Sequence, residues 1–173
     1  YIMKQGTICV QGAYRPKNGE PRVLPIVQST TYKYDSSVEM GDLFDLKKSG
    51  YFYSRLQNPT NDTVAAKITM LEGGVAGMLT SSGQAANFYA VFNIAQAGDH
   101  IVSSSAIYGG TYNLFNVTMR KLGIDFTFVS PDATEEEIQA AFKPNTKAVF
   151  GETISNPSLD ILDIERFAKV AHK

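Results

Sequence analysis

The sequence predicts an α/β fold: a parallel sheet with helices on its faces, preceded by an extended arm over residues 1–60. Three observations predict it. Pro16, Pro21, Pro25 and Pro59, together with Gly6, Gly12, Gly19, Gly41 and Gly50, break up the first sixty residues. Proline removes a donor and glycine widens the backbone choices, so this stretch reads as arms and turns. After residue 60, short apolar runs alternate with segments of helical period, joined by short links. That alternation implies parallel strands with crossover helices. The sequence also closes within a helical pattern at His172-Lys173, so the sheet is expected to be incomplete.

The elements follow in order. Within the arm, Val38, Leu43, Phe44 and Leu46 stand at roughly helical spacing between Ser36 and Gly50. The arm lacks a core of its own and is expected to lie on the rest of the chain or on a second subunit. Thr60 is expected to cap a helix that carries Val64, Ile68 and Leu71 on one face and stops at Gly73-Gly74. Val75 to Leu79 is a short apolar strand candidate. Gln84 to Ala95 reads as a helix ended by Gly98, Ile101-Val102 as a strand, and Thr111 to Leu122 as a helix ending at Gly123. Ile124 to Val129 is a strand. Thr134 and Glu137 form a capping box for a helix through Phe142. Ala148 to Phe150 is a strand, and Ile164 to Val170 begins the last helix.

Composition excludes several functions. The 173 residues allow one domain at about 100–200 residues each. With 43% hydrophobic and 19% charged residues, the chain is not a disordered one. Sixteen Lys+Arg against 17 Asp+Glu leave a net charge of -1, too little basic excess for a nucleic-acid partner. No apolar run approaches the roughly 20 residues of a membrane span, so no membrane is expected. No secretory leader is read in the first twelve residues. Cys9 is the only cysteine, and His100 and His172 lie far apart. An internal disulfide and a Cys/His zinc site are thereby excluded, no metal site is expected, and a cytoplasmic location fits.

Four segments carry candidate chemistry. Thr80-Ser81-Ser82-Gly83-Gln84-Ala85-Ala86 opens a helix, whose free N–H groups and partial positive charge suit a phosphate. It has neither the Walker pattern nor the dinucleotide fingerprint, and an ordinary Ser-capped helix is the plainer reading. Tyr53 and Arg55, two apart in an extended segment, point the same way and offer a phenol and a guanidinium to anionic oxygens; a packed Tyr and a solvated Arg are the alternative. Ile107-Tyr108-Gly109-Gly110-Thr111 follows a strand, where ligands of open α/β sheets bind. Tyr108 would present a flat ring there, able to stack on a planar group. Gly151-Glu152-Thr153-Ile154-Ser155-Asn156-Pro157 also follows a strand, with Asn156 held extended before its proline; a turn is the commonest use of Asn-Pro. Together these segments suit a planar, phosphorylated ligand.

The motifs Tyr-Ser-Arg-x-x-Asn-Pro-Thr, Ser-Ser-Gly-Gln-Ala-Ala, Tyr-Gly-Gly-Thr and Glu-Thr-x-x-Asn-Pro, in this order and spacing, resemble the Cys/Met-metabolism family of pyridoxal-phosphate enzymes. The wording of Gly151–Pro157, the arm Gly12-Ala13-Tyr14-Arg15 and the segment Pro25 to Tyr32 are most similar to its O-acetylhomoserine sulfhydrylase branch, although relatives more often have Pro where Ile154 stands. The resemblance covers essentially the whole chain. It implies the aspartate-aminotransferase-like large domain (PLP fold type I), here as an incomplete parallel-rich sheet with helices on both faces after an extended N-terminal arm. On this reading residues 1–60 are the arm that makes dimer and tetramer contacts, and 61–173 are the first part of the cofactor-binding large domain.

The resemblance also implies roles. Tyr53 and Arg55 would reach the cofactor phosphate of a neighbouring subunit. Ser82 and the N–H groups of Gly83 and Gln84 would hold the phosphate of their own subunit's pyridoxal 5'-phosphate. Tyr108 would stack on the pyridine ring and exchange protons with the amino-acid substrate. Glu152 and Asn156 would lie near the ring, Asn156 close to its 3-hydroxyl. The family's cofactor-linking lysine, the aspartate at the pyridine nitrogen and the arginine for the substrate carboxylate fall downstream of Lys173. The chain is thus expected to be the N-terminal half of a cytoplasmic homotetramer (a dimer of dimers), inactive without its own C-terminal half. The implied reaction is γ-replacement, making homocysteine or methionine from O-acetylhomoserine and sulfide or a thiol. A γ- or β-elimination lyase such as methionine γ-lyase or a cystathionine lyase, and a non-catalytic assembly module, are the alternatives.

Overall fold

A computed structural model describes residues 3–173; Tyr1 and Ile2, the first two residues of the expected arm, lie outside the described residues. The chain divides into two compact units, residues 1–79 and 80–173. The division falls later than the compositional shift near residue 60, because α3 (Pro59–Glu72) packs against α1 (Gln5–Gln11) in the first unit.

The first unit has little apolar core: Leu43 and Ala65 are its buried hydrophobic side chains among the described residues. Side-chain hydrogen bonds to backbone take the place of a core. Asn58 is buried, and its Nδ2 donates to the Val27 carbonyl and to Ser54 Oγ, both at 3.0 Å. Its Oδ1 accepts from Thr60 N at 2.9 Å, so Asn58 caps α3 and Pro59 fills the first turn. The expected cap, Thr60, instead lies inside the helix, and its hydroxyl joins Val27 N to the Pro25 carbonyl. Asn precedes Thr in chain order, and proline is tolerated at a helix start, which moves the boundary back two residues. Gly73 ends the helix in the left-handed conformation (φ 65°). Ser36 caps α2 (Ser37–Phe44), the helix expected in the arm. The helix α1 is an addition to the extended reading. Val75–Leu79 carries no strand: among the described residues it has no ladder partner, and an extended run without one remains a loop.

The second unit is built on three parallel strands in the order β2-β1-β3: β1 (His100–Ser104), β2 (Asp125–Val129) and β3 (Thr146–Phe150). The central strand β1 is buried throughout. On one face Ile101, Phe126, Phe128, Ala148 and Phe150 pack against Val91 and Ala95, which belong to α4 (Gly83–Phe92) and its exit, and against Phe115 and Met119. Phe115 stacks on Phe126 with centroids 4.7 Å apart and meets Phe150 edge-on at 4.9 Å. Full burial of such a ring contributes roughly 1.5–3 kcal/mol. On the other face Val129 and Val149 pack against Ile138 of α6 (Glu135–Ala140) and Phe167 and Val170 of α7 (Ile164–Ala171). Helices therefore cover both faces, as expected. The helix read as Thr111 to Leu122 starts earlier, as α5 (Gly109–Asn113), and widens to a π-helix over Leu114–Met119. The Thr134–Glu137 capping box is present, with both reciprocal hydrogen bonds formed.

At the amino ends of the strands His100 is fully buried and bridges all three. Its ring nitrogens lie 2.7 Å from Thr146 Oγ1 and 2.9 Å from Thr127 Oγ1. Burial lowers its pKa, Lys143 and Arg120 add to the effect, and Asp125 opposes it. Arg120 binds Asp125 at 2.5 Å and donates its other guanidinium nitrogen to the Phe126 carbonyl of β2.

Candidate functional site

The opposite, carboxyl ends of β1 and β3 carry the candidate site of the second unit. Ser104 ends β1, and Tyr108 caps α5 a few residues later. Phe150 ends β3, and Glu152 follows. Glu152 Oε1 accepts the Tyr108 N–H at 3.0 Å, which ties the two strand exits together. Tyr108 is 49% exposed, so it is accessible to a ligand.

Ser82 caps α4, its Oγ accepting from Ala85 N at 3.1 Å. The first-turn N–H groups of Gly83 and Gln84 have no partner among the described residues. Apart from its chain neighbours and its own helix backbone, nothing comes within 4 Å of where a Cβ on Gly83 would stand, so an anion can approach the backbone there. The Gln84 side chain adds a second feature. Its Oε1 is buried with no hydrogen-bond partner, and its Nε2 would lie 2.8 Å from a Cβ on Gly110. The same Cβ would run into the Tyr108 ring. Gly110 is glycine because the Gln84 amide and the Tyr108 ring both occupy the space beside its Cα. Read from sequence, the Gly109-Gly110 pair meant only a tight turn; its place directly after Tyr108 was the signal.

Gln84, Tyr108 and Glu152 are thus brought together. Asn156 is exposed in a turn ahead of a cis peptide bond to Pro157. Its loop is closed by Ser155, which is buried; Ser155 Oγ accepts from Asp160 N at 2.9 Å and Ser155 N donates to the Asp160 carbonyl.

In the first unit Tyr53 forms an isolated antiparallel bridge with Thr31. The Arg55 guanidinium lies over the Tyr53 ring, 4.9 Å from its centroid, so the two side chains do lie together. They border a cleft of about 330 Å³ with Tyr32, Phe44, Phe52 and Leu56. Among the described residues Arg55 has no carboxylate partner. No group of His, Cys, Asp and Glu that could hold a metal ion occurs among the described residues.

Comparison with known proteins gives concordant findings. O-acetyl-L-homoserine sulfhydrylase of Corynebacterium glutamicum is 51% identical over 152 residues, which is 88% of this chain and 35% of that protein. Homocysteine/cysteine synthase of Saccharomyces cerevisiae is 44% identical over 88% of this chain and 34% of its own length. The chain therefore spans about a third of the length of these curated relatives. Among solved structures, one described as an O-acetylhomoserine (thiol)-lyase of Campylobacter jejuni, carrying a pyridoxyl-lysine monophosphate, superposes with a TM-score of 0.89 at 35% identity. It covers 98% of this chain and 42% of its own. The α/β architecture is shared with that structure over the matched part. Residues 6–173 match the pattern of the Cys/Met metabolism PLP-dependent enzymes, and the chain belongs to that family.

Proposed function

We propose that this chain is the first part of a PLP-dependent γ-replacement enzyme that makes homocysteine or methionine from O-acetylhomoserine and sulfide or a thiol. The observation that carries the reading is the 51% identity, over 88% of the chain, to a protein named for O-acetyl-L-homoserine and sulfhydrylation.

The residues present fit pyridoxal 5'-phosphate. The open N–H groups of Gly83 and Gln84, with the Ser82 hydroxyl beside them, suit the phosphate. The exposed Tyr108 ring suits the planar face, and the orphaned Gln84 Oε1 marks a polar site built for a further donor. When bound, the cofactor supplies an electron sink for carbanion chemistry. The chain's own groups bind and orient. Tyr108 would pack its ring on the cofactor and move a proton at its phenol oxygen, Glu152 holds the Tyr108 backbone in place, and Asn156 would serve the 3-hydroxyl. Tyr53 and Arg55 would reach the phosphate of a neighbouring subunit, a role supported by a guanidinium that is held over the ring and has no carboxylate partner among the described residues.

Residues 1–60 act as the arm that docks on that subunit, and 61–173 as the first part of the cofactor-binding large domain, completed by the chain's own C-terminal half. The strongly exposed apolar side chains Val23, Ile26, Val38 and Leu46 of the arm support this. The assembly is a cytoplasmic homotetramer, a dimer of dimers. No helix among the described residues is long and apolar enough to cross a membrane.

The test uses the complete polypeptide that contains this sequence. Homocysteine is expected from O-acetylhomoserine plus sulfide, with little thiol released from methionine alone. Efficient elimination from methionine without replacement overturns the reading in favour of a lyase.

A further inference from the structure

The two parts of the candidate site ride on different helices. Gly83 and Gln84 open α4, whereas Tyr108 caps α5 beyond the whole of β1. Their relative placement depends on what joins the helices. Asn87 lies one turn along α4 from Gly83 and Gln84. Thr111 lies one turn along α5 from Tyr108, whose carbonyl accepts from Tyr112 N at 2.9 Å. Asn87 Nδ2 donates to Thr111 Oγ1 at 3.0 Å, and Thr111 is only 1% exposed. Beside this bond the Gln84 amide lies against the bare Cα of Gly110. The contact to Gly110 fixes how closely the helices approach. The hydrogen bond, directional and buried on its Thr111 side, fixes their register.

We infer that Asn87 and Thr111 are positioning residues: their hydrogen bond sets where the Tyr108 ring stands relative to the N–H groups of Gly83 and Gln84. The inference rests on the cofactor reading above, because only a ligand that spans both groups depends on their separation. Neither residue needs to touch that ligand.

The experiment uses the complete polypeptide. Thr111→Val keeps the shape of the side chain and strands the Asn87 amide. Affinity for pyridoxal phosphate, titrated into the apoenzyme, is expected to fall about fivefold to tenfold, with kcat falling by a similar factor. Thr111→Ser keeps the hydroxyl and is expected to restore both. The pair Asn87→Leu/Thr111→Val removes both polar partners, so thermal stability should return toward that of the parent. Affinity and the visible absorption of the bound cofactor should remain altered, because an apolar contact does not specify register. Recovery of affinity and spectrum together with stability in the double variant overturns the positioning role, as does Thr111→Val with parent-like affinity and kcat. If the parent itself binds no pyridoxal phosphate, the proposed function fails, and this inference fails with it.

Discussion

The two units are held together by different physics. In residues 80–173, rings and aliphatic side chains fill both faces of a three-stranded sheet. In the first unit, one buried asparagine and a few hydroxyls satisfy backbone groups, while Val23, Ile26 and Leu46 stay exposed. Apolar packing resists local change in proportion to the area buried. A hydrogen-bonded hub gives a defined shape with a small net stabilisation per bond. The second unit is thus the one that resists local change, and the first the one whose shape rests on a few hydrogen bonds.

Four measurements break or sharpen that contrast. The largest effect is expected at Phe115, which is fully buried between Phe126 and Phe150. Phe115→Ala should lower the stability of the second unit by about 3–5 kcal/mol, read by urea unfolding. A loss below about 1 kcal/mol would mean that this face is not close-packed.

The tyrosines come next, with crossed effects in the complete enzyme. Tyr108→Phe keeps the ring, so cofactor affinity should hardly change while kcat falls about 10²–10⁴-fold. On the proposed role of Tyr53, Tyr53→Phe would remove one hydrogen bond to the phosphate, so affinity should fall about tenfold to a hundredfold. Cofactor titration beside steady-state kinetics checks both, and the reverse pattern would exchange the two roles.

Asn58→Ala follows, at about 1–3 kcal/mol, because it leaves the Val27 carbonyl unpaired and removes the α3 cap. Hydrogen exchange should accelerate in residues 25–34 and 53–62 and hardly at all in the sheet. Acceleration in β1 would show that the two units unfold together.

The smallest effect is at His100. The fold lowers its pKa, while the unfolded chain returns it to its ordinary 6.5. The unfolded state therefore binds more protons in that window. The stabilisation is complete above the unfolded value and is lost as pH falls toward the lowered folded one. His100→Gln, which does not titrate, should flatten the slope of unfolding free energy against pH below 6.5; an unchanged slope would place its origin elsewhere.

Local signals made much of this legible in the sequence. The Thr134–Glu137 box and the Gly73 stop are contained within a few residues each, and both are present. Helix α1 was not legible, since Gly6, Thr7, Ile8 and Val10 are poor helix formers and its packing against α3 decides the outcome. The apolar run Val75–Leu79 shows the reverse failure, because strand propensity without a partner strand does not make a strand. The π-helical turn also escaped, because the packing of Phe115 and Met119 on the sheet leaves no periodic trace. In the candidate site, Tyr108, Gln84 and Glu152 could be read from their places after strands and at a helix start. The link from Glu152 to the Tyr108 backbone and the crowding at Gly110 could not, since both join residues remote in the chain.

Arg120 has a consequence beyond its ion pair with Asp125. In the three-stranded order, β2 is an outer strand, and such strands offer bare carbonyls on which a foreign chain can template itself. By donating to the Phe126 carbonyl, the guanidinium occupies one of those acceptors and sets a charge beside an aromatic, β-prone stretch. A strand that sought to pair along β2 would have to displace this guanidinium from the Phe126 carbonyl and from Asp125.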